Sequence, residues 1–333
     1  MGQQGAIGGV CINCSPRSSS MIKGNGQVFK NSLPGRSTDD LIQLLSYVKG
    51  LRGLDFNTCQ PDSIRRRLAL RLAALNLQDY QAYRHYLTEN DQEIDALIDS
   101  LTLKVSRFFR NPFVFEALSA FLLPRLIAAA GHRRPGIRAD SKTPSVEGIF
   151  DGAGATAGPE PIRVWCAGCA RGEEPYSLAI LFRELLAHYP AAPPVFILAT
   201  DIDEEALRVA RTAEYSEEAV AEVKKAQLDR YFSLERGQYR LHDEIKKMVT
   251  FARHDVTSAM APTVGVFSGY HLILCRNVQI YFVREIQRRT MTTLAGCLLK
   301  GGALVLGEAE TLPEALPGLV EMLPCSKIFI KEN

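Results

Sequence analysis

The chain of 333 residues carries little imbalance of charge: 39 lysines and arginines face 37 acids, for a net charge of +2. Near-neutrality removes any whole-chain argument for a nucleic-acid partner and leaves only local patches to consider. The first residues lack a basic segment followed by an apolar core, and no run approaches the roughly 18 apolar residues of a membrane span. Both absences argue against export and membrane insertion, and the chain reads as cytoplasmic. Gly2 follows Met1, but Ala6 stands where an N-myristoylation signal carries Ser or Thr. The eight cysteines are scattered, which suits reduced thiols better than a disulfide scaffold. Cys11 and Cys14 form one C-x-x-C and Cys166 and Cys169 another, yet about 150 residues part the pairs, whereas zinc-binding pairs sit closer. No metal site is expected.

What the chain does hold is one dense stretch, IRVWCAGCARGEEPYSLAILF, over residues 162 to 182. A β-rich run, Ile162 to Trp165, enters a small-residue turn at Ala167, Gly168, Ala170 and Gly172, and a helical pattern leaves through Glu173, Glu174 and Pro175. Strand, tight turn and helix of this kind let backbone approach a nucleotide-like ligand. The glycines fall as G-x-x-x-G, which lacks the G-x-G-x-x-G of dinucleotide sites. Two carboxylates in the first helical turn satisfy the helix dipole themselves and would repel a phosphate. They favour a cation, so the turn points to an adenosyl ligand without phosphate, such as S-adenosylmethionine with its ammonium and sulfonium.

Residues 1–36, rich in Gly, Ser, Asn and Gln, read as a disordered tail. From Thr38 the pattern turns helical, with Leu41, Leu44, Leu45 and Val48 at helical spacing. Three further helices follow, from Pro61, around Asp79 to Leu87, and around Glu93 to Leu101, so residues 37–130 are expected to form an N-terminal helical domain. On the second helix Arg65, Arg66, Arg67 and Arg71 lie mostly off the apolar stripe; they suit a solvated face or a patch for an acidic partner. Next comes SRFFRNP, where Arg110 directly follows two apolar aromatics and is a candidate for gripping a carboxylate. Residues 131–160, without periodicity, read as a linker.

Strands and helices then alternate over residues 161–333, as in a doubly wound sheet. The second strand ends in ATDID, where Asp201 is placed to accept from both hydroxyls of a ribose and Asp203 to cap the next helix. Residues 215–250 hold a hairpin signal around Arg236 and Gly237, an insert on the ligand side. Asp255 and Val256 follow the third strand, where they can meet an adenine edge and face. The fourth strand runs into RNVQIYF and makes Asn277 and Tyr281 site candidates.

Five motifs in order, SRFFRNP, WCAGCARGEEPYSLA, TDID, CRNVQIYF and GGALVLGEAETL, make the chain from residue 38 onward resemble the CheR family of chemotaxis-receptor glutamate methyltransferases. The resemblance implies a class I S-adenosylmethionine-dependent methyltransferase (Rossmann-like) domain with a small antiparallel β-subdomain, preceded by an N-terminal helical domain. It implies methyl transfer from S-adenosylmethionine to receptor glutamates, with S-adenosylhomocysteine as product; a cofactor-sensing regulatory module is the other reading. By position, Ser106, Arg110, Ala167, Glu173, Asp201, Asp255, Val256, Asn277 and Val278 match the family's cofactor side. Arg110 and Tyr281 match residues that position the acceptor carboxylate. The cytoplasmic domain of a receptor would meet Arg65, Arg66, Arg67 and Arg71 and the β-subdomain. Lys104 and Asp255 depart from the family, each standing where Asn is common.

Overall fold

The computed structural model describes residues 36–132 and 160–332, except 53, 102–105, 265–268, 314–315 and 317. Cys11, Cys14, Lys104, nearly all of the expected tail and most of the expected linker lie outside the described residues.

The site is positioned by a seven-stranded sheet. Its strands are β1 (Ile162–Ala167), β2 (Val195–Asp201), β6 (Val249–Arg253), β7 (Tyr270–Cys275), β8 (Leu298–Leu306), β9 (Leu319–Glu321) and β10 (Ile328–Lys331), in the order β6-β2-β1-β7-β8-β10-β9. Five run parallel from β6 to β8, and β10 lies antiparallel between β8 and β9, which forms the far edge. The central strand β1 is buried along its whole length, as a parallel strand covered on both faces must be. The chain leaves β1 toward β2 on one side and returns as β7 on the other, so strand order reverses at β1 and the crevice opens at its carboxyl end.

A second, three-stranded antiparallel sheet, in the order β3-β5-β4, is formed by β3 (Glu214–Tyr215), β4 (Phe232–Glu235) and β5 (Gln238–Leu241). The Arg236–Gly237 turn takes left-handed backbone at both residues, with φ of 50° and 80°, the twist that a two-residue hairpin requires.

The first four helices, α1 (Thr38–Arg52), α2 (Pro61–Ala74), α3 (Tyr80–Glu89) and α4 (Asp91–Leu101), enclose a core of their own built on Leu44, Val48, Leu68, Tyr83 and Leu97. Pro61 opens α2 at a position where its missing N–H costs nothing, and Asp79 caps α3 by accepting from Ala82 N. The next helix is continuous in path: α5 (Pro112–Ala117), a π-helical turn (Leu118–Leu122) and α6 (Leu123–His132). It packs on the sheet instead of the bundle, since Phe108, Leu118, Leu122 and Leu123 share a core with Ile162, Val164 and Leu178. The expected helical unit 37–130 therefore divides between residues 101 and 106, where the apolar face changes partner. This helix also qualifies the expectation about apolar runs, because Pro112–Ala130 is long and apolar enough by composition to cross a membrane. Half of that window is buried in the fold, and its apolar face covers the sheet.

The remaining helices are α7 (Glu173–Leu186), α8 (Glu204–Thr212), α9 (Glu217–Val220), α10 (Lys225–Tyr231), α11 (Asp243–Lys246) and α12 (Arg284–Cys297).

Candidate functional site

The carboxyl ends of β1, β2, β6 and β7 meet the bundle at a cleft with about 940 Å³ of empty space, open solvent included, in the size range of small-molecule sites. Its floor is the turn after β1. Gly168 N and Cys169 N donate to Thr200 O at 2.8 and 2.9 Å, which bends the chain sharply at the strand end. Gly168 sits at φ +79°, and a Cβ there would lie 2.3 Å from Val278 Cγ2. Only glycine meets both the conformation and the close approach. Gly172, at φ +90°, precedes Glu173 and starts α7.

Asp201, the last residue of β2, lines the cleft. Its Oδ2 accepts from Ala170 N at 2.8 Å and its Oδ1 from Asp203 N at 3.0 Å, so the carboxylate holds the turn and keeps part of its acceptor capacity. Burial pushes its pKa up, and the backbone donors pull against that shift. Asp203 caps α8, accepting from Glu205 N and Ala206 N at 3.0 and 3.1 Å. Beyond β6, Asp255 Oδ1 accepts from Thr257 N and Oγ1 at 2.8 and 2.7 Å, which fixes the carboxylate at the cleft wall beside Val256. Beyond β7, Asn277 takes left-handed backbone at φ +59°, and Val278 packs over Gly168.

The helical bundle supplies the opposite wall through Asp55, Thr58 and Cys59. It is sewn to the segment after β7: Gln60 N donates to Tyr281 O at 2.8 Å, Val283 N to Thr58 O at 3.2 Å, and Gln60 Nε2 to Ile280 O at 3.2 Å. The Arg67 guanidinium lies 5.1 Å from the centre of the Tyr281 ring, a cation–π contact that orients a residue of the cleft wall.

Of the residues singled out in the sequence, Asp201, Asp255, Val256, Asn277, Val278 and Tyr281 line this cleft together. Ala167, Ser106, Glu173 and Arg110 are not on its wall. Ala167 ends β1 one residue before the lining Gly168. Glu173 is only 3% exposed; Ser106 donates a hydrogen bond to its carboxyl, and its Oε2 has no hydrogen-bond partner among the described residues. Burial drives the Glu173 pKa up to about 7. Arg110 is half-buried, its carbonyl accepts from Arg276 Nη2 at 2.8 Å, and its charge pulls against the rise that burial imposes on Glu174.

The arginine cluster on α2 does not form one outward patch. Arg67 is 7% exposed and donates to Leu101 O, while Arg71 Nε donates to the buried Glu93 at 2.9 Å. Arg65 reaches Thr38 Oγ1 at 2.8 Å, which leaves Arg66 as the exposed member. The expected face loses Arg67 and Arg71 because α2 turns that side toward α4 and the cleft.

Sequence reasoning missed His254 and the bundle residues of the cleft, and also Arg276, which joins three segments behind it. The residues present suit S-adenosylmethionine: a glycine turn that a Cβ would fill, an acid with spare acceptor capacity at the end of β2, and a buried carboxyl oxygen at the start of α7 awaiting a donor.

Comparison with known proteins agrees. Residues 150–329 match the CheR methyltransferase SAM-binding domain, and residues 39–102 match the CheR methyltransferase all-alpha domain. The chemotaxis protein methyltransferase of Escherichia coli K12 is 31% identical over 255 residues, 75% of this chain and 76% of that protein. That of Listeria innocua is 28% identical over 275 residues, 82% of this chain and 90% of that protein. An uncharacterized 104.1 kDa protein of Rhodobacter capsulatus is 29% identical over 284 residues; the match takes 85% of this chain but spans only 26% of that longer protein. With the sheet order, the glycine turn and Asp201 in place, these matches show that the chain belongs to the CheR methyltransferase family and uses S-adenosylmethionine.

Proposed function

We propose that the chain transfers methyl from S-adenosylmethionine to glutamate side chains of cytoplasmic chemotaxis-receptor domains, giving glutamate methyl esters. The observation that carries this reading is the cleft itself, which brings Asp201, Asp255 and Tyr281 together against a wall of the bundle. When bound, S-adenosylmethionine supplies an electrophilic methyl on a cationic sulfur that departs as a neutral thioether.

The chain's residues then have positional tasks. Asp201 would accept from the ribose hydroxyls and Asp255 from the adenine amine, Val256 would pack on the base, and Asn277 and Val278 would contact the cofactor from the end of β7. Glu173, with Ser106, holds the ammonium end, and Ala167 lets the turn close. A glutamate carboxylate is already ionised at neutral pH, so no general base is needed. Arg110 and Tyr281 hold that carboxylate in line with the methyl group, and orientation supplies most of the rate. Arg66 and the small sheet β3-β5-β4 are the surfaces offered to the receptor.

The deciding experiment incubates the protein with methyl-labelled S-adenosylmethionine and a receptor cytoplasmic fragment, and looks for label released by mild base. Base-labile label that disappears when the acceptor glutamates become alanine supports the proposal. Cofactor binding without any ester would overturn it in favour of a sensing module.

A further inference from the structure

The sequence GEAETL after β8 contains a carboxylate with no assigned task. Glu310 is 3% exposed, and no lysine or arginine is paired with its carboxyl among the described residues. Its acceptors are filled by backbone. Oε2 accepts from Asn277 N at 2.9 Å and Gly307 N at 2.6 Å; Oε1 accepts from Val278 N at 2.8 Å and Gln279 N at 2.7 Å. Four N–H groups converging on one carboxylate use all of its roughly four lone-pair sites, an anion nest in which the anion belongs to the chain itself.

This arrangement answers a question that the turn after β7 poses. Three successive N–H groups point the same way there, because Asn277 adopts left-handed backbone, and none of them is paired within a strand or helix. Buried and unmet, they would drive the turn to another conformation. Two residues of the same turn, Asn277 and Val278, line the cleft, and Val278 packs over Gly168. Gly307, the residue after β8, completes the nest: a Cβ there would lie 2.8 Å from both Glu310 Oε2 and Asn277 N.

We infer that Glu310 is a positioning residue for methyl transfer, binding the turn 277–279 through its backbone and thereby presenting Asn277 and Val278 to the cofactor. The inference rests on those two residues as cofactor contacts, but not on the identity of the methyl acceptor.

Two variants test it, with S-adenosylhomocysteine as the probe in titration calorimetry. Glu310→Gln keeps the shape and sets an amide NH₂ against two N–H donors; Gly307→Ala leaves the carboxylate and displaces it. Each should raise the dissociation constant about tenfold or more with the number of binding sites per chain unchanged, the loss of two or more charge-assisted bonds. Amide exchange at Asn277, Val278 and Gln279 should quicken in both, while amides of β1 and β2 keep wild-type rates. A dissociation constant within about twofold of wild type, or fewer sites at unchanged affinity, would assign Glu310 to global stability alone and overturn the inference. Should neither variant fold, exchange in the wild-type protein decides: amides 277–279 as protected as the interior of β7 support it, and loop-like exchange refutes it. Since S-adenosylhomocysteine binding needs no acceptor, a failure to esterify receptor glutamates leaves this test intact.

Discussion

The Arg276 guanidinium lies 2.9 Å from Glu174 Oε2, and the arginine side chain is 1% exposed. The same group donates to Arg110 O at 2.8 Å and Asn111 Oδ1 at 3.0 Å. One buried cation thus fastens the segment carrying Ser106 and Arg110 to the start of α7 and to the end of β7. Removing one member of such a pair strands the other charge, a loss of about 3–5 kcal/mol. Arg276→Met should therefore lower stability by that order in denaturant unfolding, and Glu174→Gln added to it should recover part of the loss. A double variant no better than the single one would show that Glu174 is not the stranded group.

Glu173 gives a pH dependence with a definite sign. Its folded pKa, raised to about 7 by burial, exceeds the ordinary 4.5, so the ligand-free fold binds this proton more tightly than the unfolded chain does. That contribution, of order 3 kcal/mol, is fully present below pH 4.5 and is lost as pH rises through about 7. The ligand-free protein should lose more stability between pH 5 and pH 8 than Glu173→Gln does. A cationic ammonium needs the charged form, so the S-adenosylhomocysteine dissociation constant should fall about tenfold from pH 6 to pH 8 in the wild type and stay flat in the variant. Parallel curves for the two proteins would remove Glu173 from the site.

Gly168 offers the sharpest steric test. Alanine there meets a positive φ of 79° and places Cβ 2.3 Å from Val278 Cγ2. Left-handed backbone costs alanine about 1–2 kcal/mol, and relief of the clash pushes Val278 away from the floor of the cleft. Gly168→Ala should fold with reduced stability and bind S-adenosylhomocysteine at least about tenfold more weakly by calorimetry. Unchanged affinity would mean that Val278 is not held against the ligand.

Much of this was legible in the sequence because the signals are local. Leu41, Leu44, Leu45 and Val48 recur at helical spacing and are all buried, and the β1 turn follows from small residues between a strand run and two acids. What escaped depends on tertiary approach. Gln60 and Ile280 lie 220 residues apart, so nothing local shows that the bundle walls the cleft. Arg67 and Arg71 look like surface charge until α4 supplies Leu101 O and Glu93. α12 ends at Cys297, and Gly301 and Gly302 lie in β8. Gly302 is needed there because a Cβ would lie 2.9 to 3.2 Å from the carbonyls of Leu299, Tyr270 and His271.

Tyr281 separates positioning of the acceptor from binding of the donor. Its ring forms part of the cleft wall and faces Arg67, and its carbonyl is held by Gln60 N, so Tyr281→Phe keeps the ring, the cation–π contact and the backbone anchor. Only the hydroxyl is lost. If that hydroxyl donates to the acceptor carboxylate, the missing bond to a charged group is worth about 1.5–3 kcal/mol, and kcat for receptor methylation should fall about 10- to 100-fold. The S-adenosylhomocysteine dissociation constant should stay within about twofold of wild type, because the donor side of the cleft is untouched. A variant with weaker cofactor binding and an unchanged kcat would move Tyr281 from the acceptor to the donor, and would leave Arg110 as the sole acceptor contact to test.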